Sequence, residues 1–349
     1  VSTIYDVARR AGVSVATVSR HINRSGYVGM GAGARIEAAI AELGFHPNTR
    51  ARSLATRRTG LIGFVVSDLT NPFTVEVARA IQDRAYGAGW CALICNTDGD
   101  GNREAAALAV LRDHGVEGVI VTPPETQPGD EALRGLVAQG IPAVLVGRRL
   151  EAAVTDRVTT DTYGGERQAV RHLIRLGHTR IAFVGGDPRQ GRALGRKRGY
   201  TDELRDAGLD HLEELVIAGR LDREGGAETM ARLLRLDPIP TAVVTVNDAM
   251  ALGAIQEAAR QGLAVPQDIS VVGFDDIAMA AHALPPLTTV AQPKRELGQT
   301  AVELLLARIG SPEEVSPREV RLPCALVTRE STAPPIRSPR RHARRRLDL

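Results

Sequence analysis

The chain has 349 residues, of which 43% are hydrophobic, 24% charged and only 3% aromatic. That is enough chain for two or three domains with a Val/Leu/Ile/Ala core and no need of disulfides. No apolar run approaches the roughly 18 residues that span a bilayer, residues 1–20 lack the apolar stretch of a secretory signal, and Cys91, Cys95 and Cys324 form no CxxC pair.

These features point to a cytoplasmic protein without a disulfide framework, a structural metal or a cofactor, its cysteines serving as buried small hydrophobes. The net charge of +3 hides an asymmetry. Residues 1–59 carry nine arginines against three carboxylates (+6), residues 331–349 six against one (+5), and the stretch between them carries −8. A basic head and tail around an acidic body fit a polyanionic partner at the ends. For the tail, a solvated charge bias fits equally well.

In chain order, residues 3–46 read as three short helices. Residues 47–59 are Arg-rich and opened by Pro47. From Leu61 onward, apolar runs alternate with helical stretches. The strand candidates are Leu61–Val66, Cys91–Cys95, Gly118–Thr122, Ala143–Val146, Arg180–Val184, Ala242–Val246 and Ile269–Gly273. Between them lie helical segments such as Val75–Gly87, Glu104–His114, Gly164–Leu176, Glu224–Leu236 and Ala249–Gln261. Continuous apolar strands separated by amphipathic helices predict parallel sheets covered on both faces. The strand count is about twice that of one doubly wound sheet, so two lobes are expected. Thr59–Val66 is weakly echoed by Thr179–Val184. After Ala333 the chain is rich in Pro and Arg without apolar periodicity, and residues 331–349 are expected to form a basic, disordered tail.

The strongest local pattern runs from Thr3 to Arg20. Thr3 can cap a first helix with Asp6 in its first turn, Gly12 supplies a left-handed turn, and Ser14 can cap a second helix from Val15. Ala8 is small where the two helices cross, and Val18 packs back. This is helix-turn-helix chemistry, with the second helix presenting Val15, Ala16 and Arg20 to a major groove. Arg20 can grip guanine O6 and N7, while Val15 and Ala16 can only touch thymine methyls or avoid a clash. Thr3, Ser14, Thr17, Ser19 and Asn23 are short polar residues suited to phosphates.

The run from Thr3 to Asn23, with Tyr27-Val28, Ala39-Ile40, Leu43-Gly44-Phe45, Pro47-Asn48 and Ala51-Arg52-Ser53-Leu54, resembles the headpiece of the LacI/GalR family of bacterial transcription regulators. One departure stands out. Gly29-Met30-Gly31-Ala32-Gly33-Ala34 opens the third helix without a capping side chain and with three glycines, which predicts a late or frayed start. The resemblance further implies that Thr49–Ala55 is a hinge helix formed on DNA, with Asn48, Arg52 and Leu54 facing the minor groove and Leu54 wedging between base pairs.

Residues 60–330 resemble the family's effector domain, which is shared with periplasmic sugar-binding proteins. The matching motifs are Ser67-Asp68-Leu69-Thr70-Asn71-Pro72-Phe73, Leu176-Gly177-His178, Asn247-Asp248-Ala249-Met250, Gly273-Phe274-Asp275-Asp276 and Gln292-Pro293. The implied fold is an all-α helix-turn-helix headpiece followed by an α/β two-lobed periplasmic-binding-protein-like effector domain with parallel sheets. Its parts are a headpiece over 1–46, a hinge over 47–59, and lobes over about 60–158 with 290–319 and 159–289 with 320–330.

The resemblance implies that Arg196 and Asp275 anchor the effector, a surface ion pair being the plainer alternative. It places Asn247 and Gln292 as further polar contacts, Phe73 and Leu221 as walls, and Gln190 and Arg192 at positions that tune the ligand. Phe73 is equally suited to the core. Gly147 stands where many relatives carry Asp, and Thr162 where Asn is common, which weakens a sugar reading. No dinucleotide, P-loop, nucleophile-elbow or zinc-protease motif occurs. The carboxylates of Asp275-Asp276 leave a strand on opposite sides and so do not form a shared catalytic pair.

The chain therefore reads as a non-enzymatic, homodimeric repressor. It binds pseudo-palindromic double-stranded operator DNA under control of a small carbohydrate, with no membrane partner. An architectural DNA-binding protein and a transport-type sugar-binding protein are the alternative readings.

Overall fold

The computed structural model describes residues 2–23, 25–45, 58–122, 127–148, 150, 155–186, 191–311 and 316–336. The chain divides into two compact units, Val1–Thr59 and Gly60–Leu349.

The first unit holds α1 (Ile4–Ala11), α2 (Val15–Asn23) and α3 (Met30–Leu43). Thr3 and Asp6 form a reciprocal capping box on α1, and Gly12 ends it at φ 64°, a conformation that only glycine adopts readily. The core is small: Val7, Ala8, Ala11, Val18, Ile36, Ala39 and Phe45. Helix α3 corrects the expectation of a late start. It begins at Met30 although Gly29 offers no side-chain cap. Ala32 and Gly33 donate instead to the Gly29 carbonyl. Packing overrides the poor propensity here: Gly33 is buried, and a Cβ on it would lie 3.2 Å from Cε1 of His21 on α2.

The second unit contains two six-stranded sheets. Its elements are β1 (Leu61–Val66), α4 (Pro72–Gly87), β2 (Cys91–Asn96), α5 (Gly101–Asp113), β3 (Val119–Val121), α6 (Gln127–Ala138), β4 (Ala143–Val146) and β5 (Asp156–Thr160). Then follow α7 (Thr162–Arg175), β6 (Ile181–Gly185), α8 (Gly191–Asp206), β7 (Val216–Ala218), α9 (Arg223–Leu233), β8 (Ala242–Thr245), α10 (Asp248–Arg260) and β9 (Ser270–Asp275). The chain ends with α11 (Ala278–His282), β10 (Thr288–Ala291), α12 (Lys294–Gly310), β11 (Glu319–Leu322) and β12 (Ala325–Val327).

The first sheet runs β11-β5-β4-β3-β1-β2 and the second β12-β10-β9-β8-β6-β7. All neighbours pair in parallel except β10 with the antiparallel β12. The two sheets share one winding, so β1 and β6 hold equivalent places, which accounts for the echo between Thr59–Val66 and Thr179–Val184. The inner strands β3, β4, β6 and β8 are buried along their whole length, as the continuous apolar runs predict. The chain leaves the first sheet after Thr160, returns after Ala291 to lay α12 on α4, and crosses again between Leu322 and Ala325.

Two expectations are corrected. Cys91 is exposed and only Cys324 is fully buried, because Cys91 sits on the edge strand β2; all three thiols are free. The tail also begins later than residue 331. The Ser331 hydroxyl bonds the Val271 carbonyl and the Thr288 amide, and the Ala333 carbonyl meets His178 Nε2, so residues 331–333 pack against the second sheet. Residues 337–349 lie outside the described residues.

Candidate DNA-reading helix and effector site

In the first unit, α2 offers one polar face. Ser14, Ala16 and Arg20 are exposed, while Val15, Thr17 and Ser19 are half-buried. Ser14 caps the helix, its Oγ accepting from Thr17 N at 3.1 Å and lying 2.8 Å from Thr17 Oγ1. No acidic residue occupies the first turn of α2, so its N-terminal end keeps its positive potential, which suits a phosphate. Arg20 Nε donates to the Ala16 carbonyl at 3.3 Å, which steadies the stem of an exposed guanidinium. Thr3 is exposed at the α1 cap. Asn23 ends α2, and its side chain lies outside the described residues, as do Asn48, Arg52 and Leu54.

In the second unit, the carboxyl ends of strands from both sheets meet at one place. Ligands of open α/β sheets bind at such edges. Asp275 ends β9, and Gln292 follows β10 one residue beyond the Ala291–Asp275 pairing. Gln292 Nε2 donates to Asp275 Oδ1 at 2.6 Å, and its Oε1 accepts from Thr160 Oγ1 at the end of β5. Gln292 thus joins the second sheet to the first and orients the Asp275 carboxylate.

Arg196, on α8, is 6% exposed. Its guanidinium carbon lies 4.1 Å from the centre of the Phe274 ring, and Nη2 is 3.7 Å from Asp275 Oδ1. That separation is an ion pair and too long for a hydrogen bond. Its Nε is buried without a hydrogen-bond partner. The Phe274 ring supports the guanidinium, and Nε is a buried donor that no protein group takes up.

Asn247 caps α10 through Oδ1 on Met250 N at 2.8 Å, and its Nδ2 holds the Leu221 carbonyl at 2.8 Å. Both ends are engaged, so the residue positions Leu221. The Leu221 side chain is 55% exposed and lies 3.2 Å from where a Cβ on Gly186 would be. Phe73 is 5% exposed and packs in the main core as the second residue of α4. Arg192 is on α8, but its side chain lies outside the described residues, as does Gln190. The two aspartates after β9 do diverge: Asp276 pairs with Arg329 at 2.7 Å.

Three buried charges escaped the sequence reading. Glu166 on α7 has both carboxylate oxygens buried without a hydrogen-bond partner, and burial pushes its carboxyl up to about 8 against the opposing pull of Arg196. Asp248 accepts from Ile277 N and Thr289 Oγ1; burial first and the charge of Asp275 second raise its carboxyl to about 8. Arg148, sent inward after the left-handed Gly147 (φ 67°), pairs with Glu104 at 2.7 Å and with Asp130. Two carboxylates share a signal, a charge on an apolar helix stripe: Glu166 precedes Ala169, Val170 and Leu173, and Glu104, the partner of Arg148, precedes Leu108 and Leu111. Among the described residues, no group of His, Cys, Asp or Glu could hold a metal ion, and no helix is long and apolar enough to cross a membrane.

Comparison with known proteins finds matches to both units of the chain. A family model described as bacterial regulatory proteins of the lacI family matches residues 3–48, and one described as a periplasmic binding protein-like domain matches residues 170–332. The chain is 38% identical over 313 residues to the ribose operon repressor of Escherichia coli K12, covering 89% of this chain and 94% of that protein. A structure of the lac repressor dimer bound to operator and the anti-inducer ONPF superposes with a TM-score of 0.84 at 32% identity, over 95% of this chain and 99% of the other. The complex of the transcriptional regulator CelR with cellobiose gives a TM-score of 0.73 at 32% identity, over 95% and 100%.

Proposed function

The chain belongs to the lacI family of bacterial regulatory proteins, and from that premise we propose that it is a cytoplasmic, homodimeric repressor whose operator affinity is set by a small carbohydrate at Arg196 and Asp275. The observation that carries this reading is the buried pair itself. Two buried opposite charges face each other at 3.7 Å, too far apart for a hydrogen bond between them, at the meeting of two sheets. A fork of donors beside an acceptor pair suits vicinal hydroxyls. The CelR–cellobiose complex and the operator-bound lac repressor dimer support the two halves of the proposal.

The steps follow from the residues. Helix α2 enters the major groove by its N-terminal end, with Arg20 reading a base and Ser14, Thr17 and Ser19 seating on phosphates. A dimer presents two such helices to a two-fold operator. Residues 47–59, with Asn48, Arg52 and Leu54, connect the reading unit to the sensing unit. An effector that joins Arg196 to Asp275 also engages Gln292 and, through it, Thr160 of the first sheet. It shifts the lobes only by the difference in its affinity for the two arrangements. The chain acts as a regulator and carries out no catalysis.

A thermal-shift screen of sugars and nucleobases, followed by operator binding with each hit, tests this reading. A sugar that both stabilises the chain and changes operator affinity supports it. Specific operator binding that no stabilising compound alters would overturn it.

A further inference from the structure

Lys294 is one of only two lysines in a chain of 44 basic residues, and its side chain is 10% exposed. It opens α12 directly after the crossover that carries Gln292. Its Nζ donates to the Asp275 carbonyl at 2.9 Å and to the Asp276 carbonyl, and it lies 3.5 Å from Glu76 Oε2 on α4. Both carbonyls belong to non-glycine residues at positive φ, 113° at Asp275 and 54° at Asp276. Such backbone persists only where the surroundings hold it. One ammonium group therefore fixes the strained end of β9, in the second sheet, to a helix packed on the first.

Helices α4 and α12 are themselves locked together. A Cβ on Gly298 would lie 2.8 Å from both Ala80 Cβ and the Val77 carbonyl, so the two helices touch along their backbones one turn beyond Lys294. Arg84 Nε bonds Glu303 at 3.0 Å further along the pair. A displacement passed to Lys294 is thus passed to both helices. Gln292 reaches the Asp275 carboxylate, and Lys294 reaches its main chain, so side chain and backbone of one residue are held from a single crossover.

We propose that Lys294 is a positioning residue that couples the Asp275–Asp276 turn to helix α4, so that occupancy of the aspartate is felt across the two sheets. This inference rests on the proposed role of Asp275 as an effector anchor. The coupling is reciprocal, so it is readable from the far end without any effector. Among the described residues, Glu76 pairs with Lys294, which in turn holds the Asp275 and Asp276 carbonyls.

Hydrogen exchange of the full chain without added sugar tests the link. Glu76→Gln and Lys294→Met should each speed exchange in peptides covering 275–280 by roughly tenfold, as expected for loss of charge-assisted contacts. Glu76→Gln should add nothing in the Lys294→Met background, and Lys294→Arg should restore most of the protection. The proposal is overturned if Glu76→Gln leaves 275–280 unchanged, or if its effect persists without the lysine. Glu76 is 44% exposed, so its substitution spares the fold if Lys294→Met does not. Failure here leaves the effector reading to the sugar titrations, and failure of those titrations leaves this result standing.

Discussion

The guanidinium carbon of Arg196 lies 4.1 Å from the centre of the Phe274 ring, with Nη2 3.7 Å from Asp275 Oδ1. Neither residue satisfies the other fully, and Gln292 fixes the orientation of the carboxylate. Arg196→Ala and Asp275→Asn should each weaken effector binding by about 10–100-fold, the worth of charged hydrogen bonds. Operator affinity without effector should stay within about threefold. Calorimetric titration with the sugar found by screening, beside operator binding by each variant, measures both.

Arg20 presents an exposed guanidinium from a stem tied to its own helix. Arg20→Ala should lose about 1–3 kcal/mol of operator affinity and relax preference at one base pair of each half-site. Ser14→Ala and Thr17→Ala should weaken binding more evenly across sequences, since phosphate contacts position without specifying. Selection from random duplexes with each variant checks the distinction. Unchanged discrimination by Arg20→Ala removes its reading role.

Buried carboxylates set the pH dependence of stability. Glu166 and Asp248 both titrate near 8 in the folded chain, far above ordinary carboxylates. Between roughly pH 4 and pH 8 the unfolded chain therefore releases protons that the folded chain keeps, and stability falls as pH rises. Asp156 acts in the opposite sense. Burial would raise it, but hydrogen bonds from Arg308 and Arg318 hold it down to about 2, so its contribution is present above pH 4 and lost as pH falls toward 2. For these three carboxylates the combined contribution is greatest near pH 4–5. Glu166→Gln should flatten the slope of stability above pH 4. Denaturant unfolding across pH tests the sign.

The weak start of α3 is an opening for stabilisation. Gly31 is exposed, and a Cβ there meets nothing within 4 Å. Gly31→Ala should therefore stabilise the first unit by about 0.5–1 kcal/mol. A rise in the midpoint of its thermal transition confirms this; a fall would show that the glycine serves another contact.

Much of this was legible in the sequence because it rests on local chemistry. Thr3, Asp6, Gly12 and Ser14 are caps and turns whose function is set by residues three or four positions away. The strands β1 to β4 and β6 announce themselves as apolar runs. The short edge strands β7, β11 and β12 do not, because they are exposed on one side and carry residues such as Glu319 and Arg321. At the proposed effector site, Arg196 and Asp275 are picked out by resemblance alone. Their supports are not: Glu166, Lys294 and Thr160 lie 30, 98 and 36 residues from Arg196 and meet it or its partners only through tertiary packing. The early start of α3 is missed for the same reason, since burial of Gly33, Ile36 and Ala39 in the core of the first unit outweighs three glycines.

The central claim is that a carbohydrate held by Arg196 and Asp275 controls operator affinity. Its most direct test is the dissociation constant of the full chain for an operator selected from random duplexes, measured with and without each sugar of a panel, in the wild type and in Asp275→Asn. The account predicts that one sugar shifts the wild-type constant by about 5–150-fold, and that Asp275→Asn needs about 10–100-fold more of it for the same shift. A specific operator bound equally well in the presence of every sugar, or a shift in Asp275→Asn at the same sugar concentration as in the wild type, would contradict it.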